Sequence, residues 1–188
     1  MPSPAHVALL YFLWLTSERF YFAYHERSAA GLERDRSSFN LVRTAVVLGA
    51  WPGLAVGFTR AGRFDSAGGW LVWTGISLLL VGVALRWTAI LTLRKFFTSR
   101  VTLIADHRIV RRGLYRRLRH PSYTGYLLVY LGLSLALANW ASLLIIMLPT
   151  LAAILYRIRV EEQMLRQTFG TEYDDYARRT KRLLPGIY

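Results

Sequence analysis

The chain has 188 residues, 54% of them hydrophobic, with no cysteine and 24 Lys+Arg against 11 Asp+Glu, a net charge of +13. Without cysteine there is neither a disulfide framework nor a thiolate metal site, and the four histidines, at 6, 25, 107 and 120, lack zinc spacing. So large a positive surplus points to nucleic acid in a soluble protein, but here mean hydropathy is +0.28 and the basic residues fall between apolar runs of membrane-crossing length, so no nucleic-acid partner is expected.

Five spans are predicted in chain order: Ala5–Tyr24, Leu41–Phe58, Trp70–Leu93, Tyr123–Ala138 and Ala141–Tyr156. The expected fold is all-α, a polytopic membrane helix bundle forming a single domain over 1–188. Three N-terminal spans fill 1–93, a cytoplasmic loop 94–122, a helical hairpin 123–156 and cytoplasmic helices 157–188. The amino terminus, MPSPAH, lacks a basic region and the first span carries Glu18 and Arg19, so that span is expected to be retained rather than cleaved.

Charge at membrane depth is costly and normally pairs or lines a polar cavity. For Glu18 and Arg19 structural ion pairing is the expectation. Arg86, near the inner end of the third span, has either to snorkel or to face a site. In the second span Gly49, Gly53 and Gly57 recur every fourth residue and offer a face for close helix packing, and Pro52 predicts a kink. Residues 28–38 read as a polar loop. There is no strand–helix alternation and no G-x-G-x-x-G, which excludes a soluble Rossmann-type domain.

Residues 103–140 organise the rest. Arg108, Arg111, Arg112, Arg116, Arg117 and Arg119 fall within twelve residues, followed by His120, Pro121, Ser122, Tyr123 and Gly125. Pro121 biases His120 away from αR, so a helix begins there and turns its positive end to the basic loop, a place for an anionic or carboxylate-bearing ligand. The arginines by themselves mark only the cytoplasmic side of a membrane protein. They do not account for the histidines, tyrosines and glycines among them.

That run, H-x-I-V-x-x-G-x-Y-x-x-x-R-H-P-x-Y-x-G from His107 to Gly125, resembles the signature of the isoprenylcysteine carboxyl methyltransferase family, integral-membrane enzymes that use S-adenosylmethionine. The resemblance continues in Gly82-x-x-x-Arg86, in Arg157 and Glu161–Glu162, in FGTEYDDY and in the closing R-L-L-P. It covers about the last 110 residues and fades over the first 60. It implies a cofactor site for S-adenosylmethionine at His107, Ile109, Val110, Gly113, Tyr115 and Arg119, continued by His120, Pro121, Tyr123, Gly125 and Glu162. It also implies Arg86 and Tyr173 on the substrate side, and no metal.

On a helix Arg157 and Glu161 stand four apart and Arg159 and Glu162 three apart, so each pair can meet on one face. By itself that is a salt-bridged surface worth tenths of a kcal/mol. The resemblance implies instead that Arg157 orients a substrate carboxylate, that Glu161 braces it and that Glu162 assists the cofactor. Beyond Phe169, Gly170 is expected to stop the helix, Thr171 to cap a second one, Tyr173 and Tyr176 to face inward, and Arg178, Arg179, Lys181 and Arg182 to meet anionic membrane lipids.

The implied activity is methyl transfer to a lipophilic small molecule or lipidated substrate, most simply at a carboxylate. Relatives of similar architecture that methylate phospholipid amines, thiols or phenol-like hydroxyls are the alternative, and a non-catalytic or sterol-reductase-like relative sharing the fold is a further one. Segments 25–43, 94–119 and 157–182 hold 4, 9 and 7 Lys+Arg, against only Arg60 and Arg63 on the other side. This places the amino terminus outside and the carboxyl terminus and signature loop in the cytoplasm. Reporter fusions after Asn139 and after Tyr188 are expected on opposite faces, and equal sidedness would overturn the five-span arrangement.

Overall fold

The structure, a computed structural model, describes residues 2–25, 32–35, 37–60, 62–64, 68–94, 97, 101–103, 108–184 and 186. Its helices are α1 (Pro4–His25), α2 (Ser37–Gly57), α3 (Gly68–Leu93), α4 (Pro121–Ala136), α5 (Trp140–Phe169) and α6 (Thr171–Arg179). Among the described residues three helices, Ser38–Gly57, Gly69–Leu93 and Trp140–Phe169, are long and apolar enough to cross a membrane by length and composition. The helix α1, with Glu18 and Arg19, and α4, at 16 residues, are not in that group. Many large apolar side chains point outward, among them Leu13, Phe20, Trp70, Trp73 and Leu148, as helices apolar all round require when their solvent is lipid.

The α3–α4 interface is the most extensive in the bundle. The two helices run antiparallel, and Gly75 and Gly82 on α3 face Gly132 and Gly125 on α4. A Cβ on Gly75 would lie 2.3 Å from the Ala136 nitrogen, and one on Gly132 2.4 Å from the Leu79 nitrogen. Backbone therefore meets backbone, the arrangement that small residues permit where no water drives helices together. The spacing of seven on each helix is a signal the sequence carries.

The α2 glycines act as expected. Gly49 and Gly53 lie against Ile145 and Ile146 of α5, and Gly57 against Leu137 at the α4–α5 corner. Asn139 caps α5 by accepting from the Ser142 nitrogen at 3.0 Å, and the corner is tied to residues 62–64 by Trp140 N–H to Gly62 O at 2.9 Å. The helix α5 runs unbroken for 30 residues, about 45 Å at 1.5 Å per residue, so its end from Glu161 to Phe169 extends past a hydrocarbon core of about 30 Å.

Two details differ from expectation. Within the stretch expected to be polar loop, Leu32–Asp35 forms a strand (β1) paired antiparallel with Val101–Leu103 (β2), segments too short for strand periodicity to register. At the α5–α6 junction Gly170, at φ +52°, serves as both the end of α5 and the cap of α6, with Thr171 already helical. The α3–α4 contact makes a test. Gly132→Ala is expected to lower stability by about 1–3 kcal/mol through overpacking, and Leu80→Ala on the outer face to change it by less than about 0.5 kcal/mol, read as thermal melting in one detergent.

Candidate active site

The signature loop is built by backbone. Gly113, at φ +57°, opens a 3-10 turn over Gly113–Arg116. The chain then runs extended beside residues 180–183: the Lys181 nitrogen donates to Arg117 O at 3.0 Å, while Arg119 and His120 nitrogens donate to Lys181 O at 2.7 Å and Arg182 O at 3.0 Å. The Tyr176 hydroxyl donates to Tyr115 O at 2.8 Å, and Thr124 Oγ1 to Leu183 O at 2.8 Å. Pro121 is the first residue of α4, where a missing N–H costs nothing.

Behind this loop lies Glu162, 1% exposed. Arg119 Nε reaches its Oε1 at 2.9 Å, Arg182 Nη2 its Oε2 at 2.8 Å and Arg166 Nη2 its Oε2 at 3.7 Å. His120 Nε2 is 3.4 Å from Oε1 but not aligned as a hydrogen bond. The expected partner, Arg159, is exposed and is not among these contacts. A buried carboxylate requires inward partners, and the loop and the 180–183 segment supply them.

One turn earlier, Arg157 is 4% exposed. Its Nε donates to the Tyr123 hydroxyl at 2.7 Å and its Nη1 to Ser38 Oγ at 3.1 Å. The Tyr123 hydroxyl in turn donates to Glu161 Oε2 at 2.7 Å. Among the described residues no direct Arg157–Glu161 ion pair forms. The four-residue spacing brings both to one face, and a phenol from α4 stands between them. The His120 ring stacks on Tyr123 with centroids 5.6 Å apart, its Nδ1 3.9 Å from Glu161 Oε1.

Arg86 does not snorkel. It pairs through Nη2 with Glu18 Oε2 at 3.0 Å and through Nε with Glu18 Oε1, donates from Nη1 to Ser122 Oγ at 2.9 Å, and lies 4.6 Å above the Tyr126 ring. Both charges are buried, as ion pairing at membrane depth requires.

These groups open on one cavity of about 610 Å³, within the range of small-molecule sites. Arg86, Tyr123, Arg157 and Glu161 line it. So do Ile109, Val110, Tyr115, Arg119, His120 and Tyr173. Gly113, Pro121, Gly125 and Glu162 do not; they shape the wall from behind, and a Cβ on Gly125 would lie 2.6 Å from the Arg86 nitrogen. His107 lies outside the described residues. Burial raises the Tyr115 and Tyr173 hydroxyls above their ordinary range and pushes Tyr176 up to about 12, so all three stay neutral near pH 7. The Tyr173 hydroxyl is buried without a hydrogen-bond partner among the described residues.

Sequence reasoning did not single out Ser122, Tyr126 or Tyr11 for the cavity, nor Ser38 as a partner of Arg157. Ser122 and Tyr126, four apart on α4 in front of Arg86, were open to a helical-face reading; Ser38 carries no such signal.

Comparison with known proteins bears on the same residues. Residues 74–167 match the model of the isoprenylcysteine carboxyl methyltransferase family. Protein-S-isoprenylcysteine O-methyltransferase B of Arabidopsis thaliana is 33% identical over 120 residues, covering 63% of this chain and 61% of that protein. Its counterpart in Tribolium castaneum is 37% identical over 123 residues, covering 63% and 43%. A solved structure of the eukaryotic intramembrane Ras methyltransferase ICMT superposes with a TM-score of 0.58 at 30% identity, covering 81% of this chain and 54% of that one. The chain thus spans about three fifths or less of the length of these relatives. The matched segment is half of the chain and holds Arg86, the signature loop, Tyr123, Arg157 and both glutamates, and on that ground this helix bundle belongs to the isoprenylcysteine carboxyl methyltransferase family.

Proposed function

We propose that this chain transfers the methyl group of S-adenosylmethionine to the carboxylate of a lipophilic acceptor, an isoprenylated cysteine or a molecule like it, at the cytoplasmic face of a membrane. The observation that carries this reading is one cavity that holds Arg157, Tyr123 and Glu161 and extends between α1 and α2, where Leu15, Phe22, Phe39, Val42, Val46 and Val47 give apolar lining beside the charged Glu18, Arg19 and Arg43.

The cytoplasmic end suits the cofactor. Tyr115, Tyr173 and Tyr176 give flat apolar surface for an adenine, and the buried Tyr173 hydroxyl lacks a partner that a polar ligand atom would supply. When bound, S-adenosylmethionine supplies an electrophilic methyl on a sulfonium leaving group that needs no acid. A carboxylate acceptor is ionised near neutral pH and needs no base. The work left to the protein is to orient the acceptor and exclude water. A guanidinium does this through its planar fork. The Tyr123 hydroxyl, held by Glu161, fixes the rotation of the Arg157 fork, so Tyr123 and Glu161 are positioning residues.

Three outcomes follow. Arg157→Lys is expected to lose at least about 100-fold in kcat/KM although its charge survives, because an ammonium lacks the fork. Glu161→Gln, whose amide oxygen still accepts from Tyr123, is expected to retain more activity than Arg157→Ala. The rate is expected to be flat above about pH 6; a rate climbing steadily with pH, together with a dead Glu161→Gln variant, would instead assign an amine, thiol or hydroxyl acceptor. Separately, His120→Ala is expected to weaken S-adenosylmethionine binding by calorimetry with the melting temperature preserved, and unchanged affinity removes His120 from the cofactor site.

A further inference from the structure

Two arginines on the cavity wall have no acid to meet. Arg19 on α1 and Arg43 on α2 both line the cavity, and both are exposed. Glu18 is the only acidic residue on either helix, and Arg86 takes both of its oxygens. Among the described residues neither the Arg19 nor the Arg43 guanidinium has an ion-pair or hydrogen-bond partner. Membrane sidedness calls for arginine in the connecting loops. It does not call for arginine inside the helices, where a charge pairs or lines a polar cavity.

The two cations stand at one level. The helix α1 ends at His25 and α2 begins at Ser37, so these ends lie on the same side of the bundle. Arg19 is six residues inside the first end and Arg43 six inside the second, about 9 Å along each axis. The levels stay matched farther in, where Phe12 and Trp51, thirteen and fourteen residues from those ends, hold their rings 5.5 Å apart. Between the two levels α1 packs on α4 and makes little backbone contact with α2. The lining there is apolar: Leu15 one turn from Arg19, and Val46 and Val47 one turn from Arg43.

A pair of unmet guanidiniums followed inward by an apolar groove repeats the order of charge and hydrocarbon in an anionic phospholipid. The planar guanidinium fork suits phosphate oxygens better than a point charge does. We infer that Arg19 and Arg43 form a binding site for an anionic phospholipid, its phosphate between the two guanidiniums and an acyl chain laid along Leu15, Val46 and Val47. The site is built by α1 and α2, which lie outside the matched family segment. It goes beyond the methyl-transfer reading and does not rest on it, and neither arginine is given a part in the reaction.

The test is native mass spectrometry of the whole chain in detergent, titrated with dioleoylphosphatidylglycerol or dioleoylphosphatidylcholine. The unaltered chain is expected to bind the first lipid at least about tenfold more tightly than the second, the scale set by two basic residues. In the double variant Arg19→Gln, Arg43→Gln the preference is expected to vanish with the melting temperature preserved. The control Arg159→Gln, Arg179→Gln, which removes exposed charge outside the cavity lining, is expected to keep it. Val46→Trp, which fills the groove, is expected to weaken phosphatidylglycerol binding, and inorganic phosphate in large excess to leave the lipid in place. Equal affinity for the two lipids in the unaltered chain overturns the site without recourse to any variant. So does a preference lost equally in the control, which would reduce it to diffuse surface charge, and so does displacement by inorganic phosphate, which would make it a site for a free anion.

Discussion

A carboxylate with 1% exposure cannot be left alone, and the half of this protein that carries the signature loop is arranged around that constraint at Glu162. Stripping a carboxylate of water costs several kcal/mol, recovered only by well-placed opposite charge, and removing one partner of such a pair costs about 3–5 kcal/mol. The partners come from three places: Arg119 from the signature loop, Arg182 from the segment after α6 and Arg166 from one turn along α5. Arg119 also donates to Ala177 O at 2.6 Å and Thr180 O at 2.7 Å, so one guanidinium joins α5, the end of α6 and the loop. The density of arginine in the signature is therefore only partly about membrane sidedness. One of these arginines, Arg119, is an internal strut.

The membrane half is governed by a different rule. There helices gain little by hiding apolar surface from lipid, and contact is limited by how closely backbones approach. The α3–α4 glycines set that distance, and they place Arg86 beside Ser122 and beneath Tyr126. Its countercharge then has to come from a third helix, and Glu18 of α1 provides it. Close packing at Gly82 and Gly125 and the charge pair one turn away are consequences of one another.

What could be read in the sequence divides along the same line. Helix limits set by local chemistry were legible: Pro121 opens α4, Asn139 caps α5 and Gly170 ends it, each through a backbone preference that needs no distant partner. The signature loop and the Arg157–Glu161 face were legible from spacing. The identity of contacts was not. Glu162 reaches Arg119 and Arg182 rather than nearby Arg159, and Tyr123 enters between Arg157 and Glu161 from another helix. Periodicity reports which face a residue occupies, and a pairing across 20 to 43 positions depends on how helices are stacked. The β1–β2 ribbon was invisible for a related reason, since three or four residues show no period.

The pairing of residues 180–183 with 117–120 also orders events during synthesis. The long apolar helices α2, α3 and α5 can enter a membrane as each emerges, but the loop before α4 finds its backbone partners only when Lys181, Arg182 and Leu183 have left the ribosome. Until then Glu162 lacks Arg182, and Arg119 lacks Thr180. The floor of the cavity is thus the part of the molecule assembled last, and a nascent chain already threaded into the bilayer remains an incomplete receptacle. Polypeptide fused close behind residue 183 would be felt first in that final docking step, before any effect on insertion.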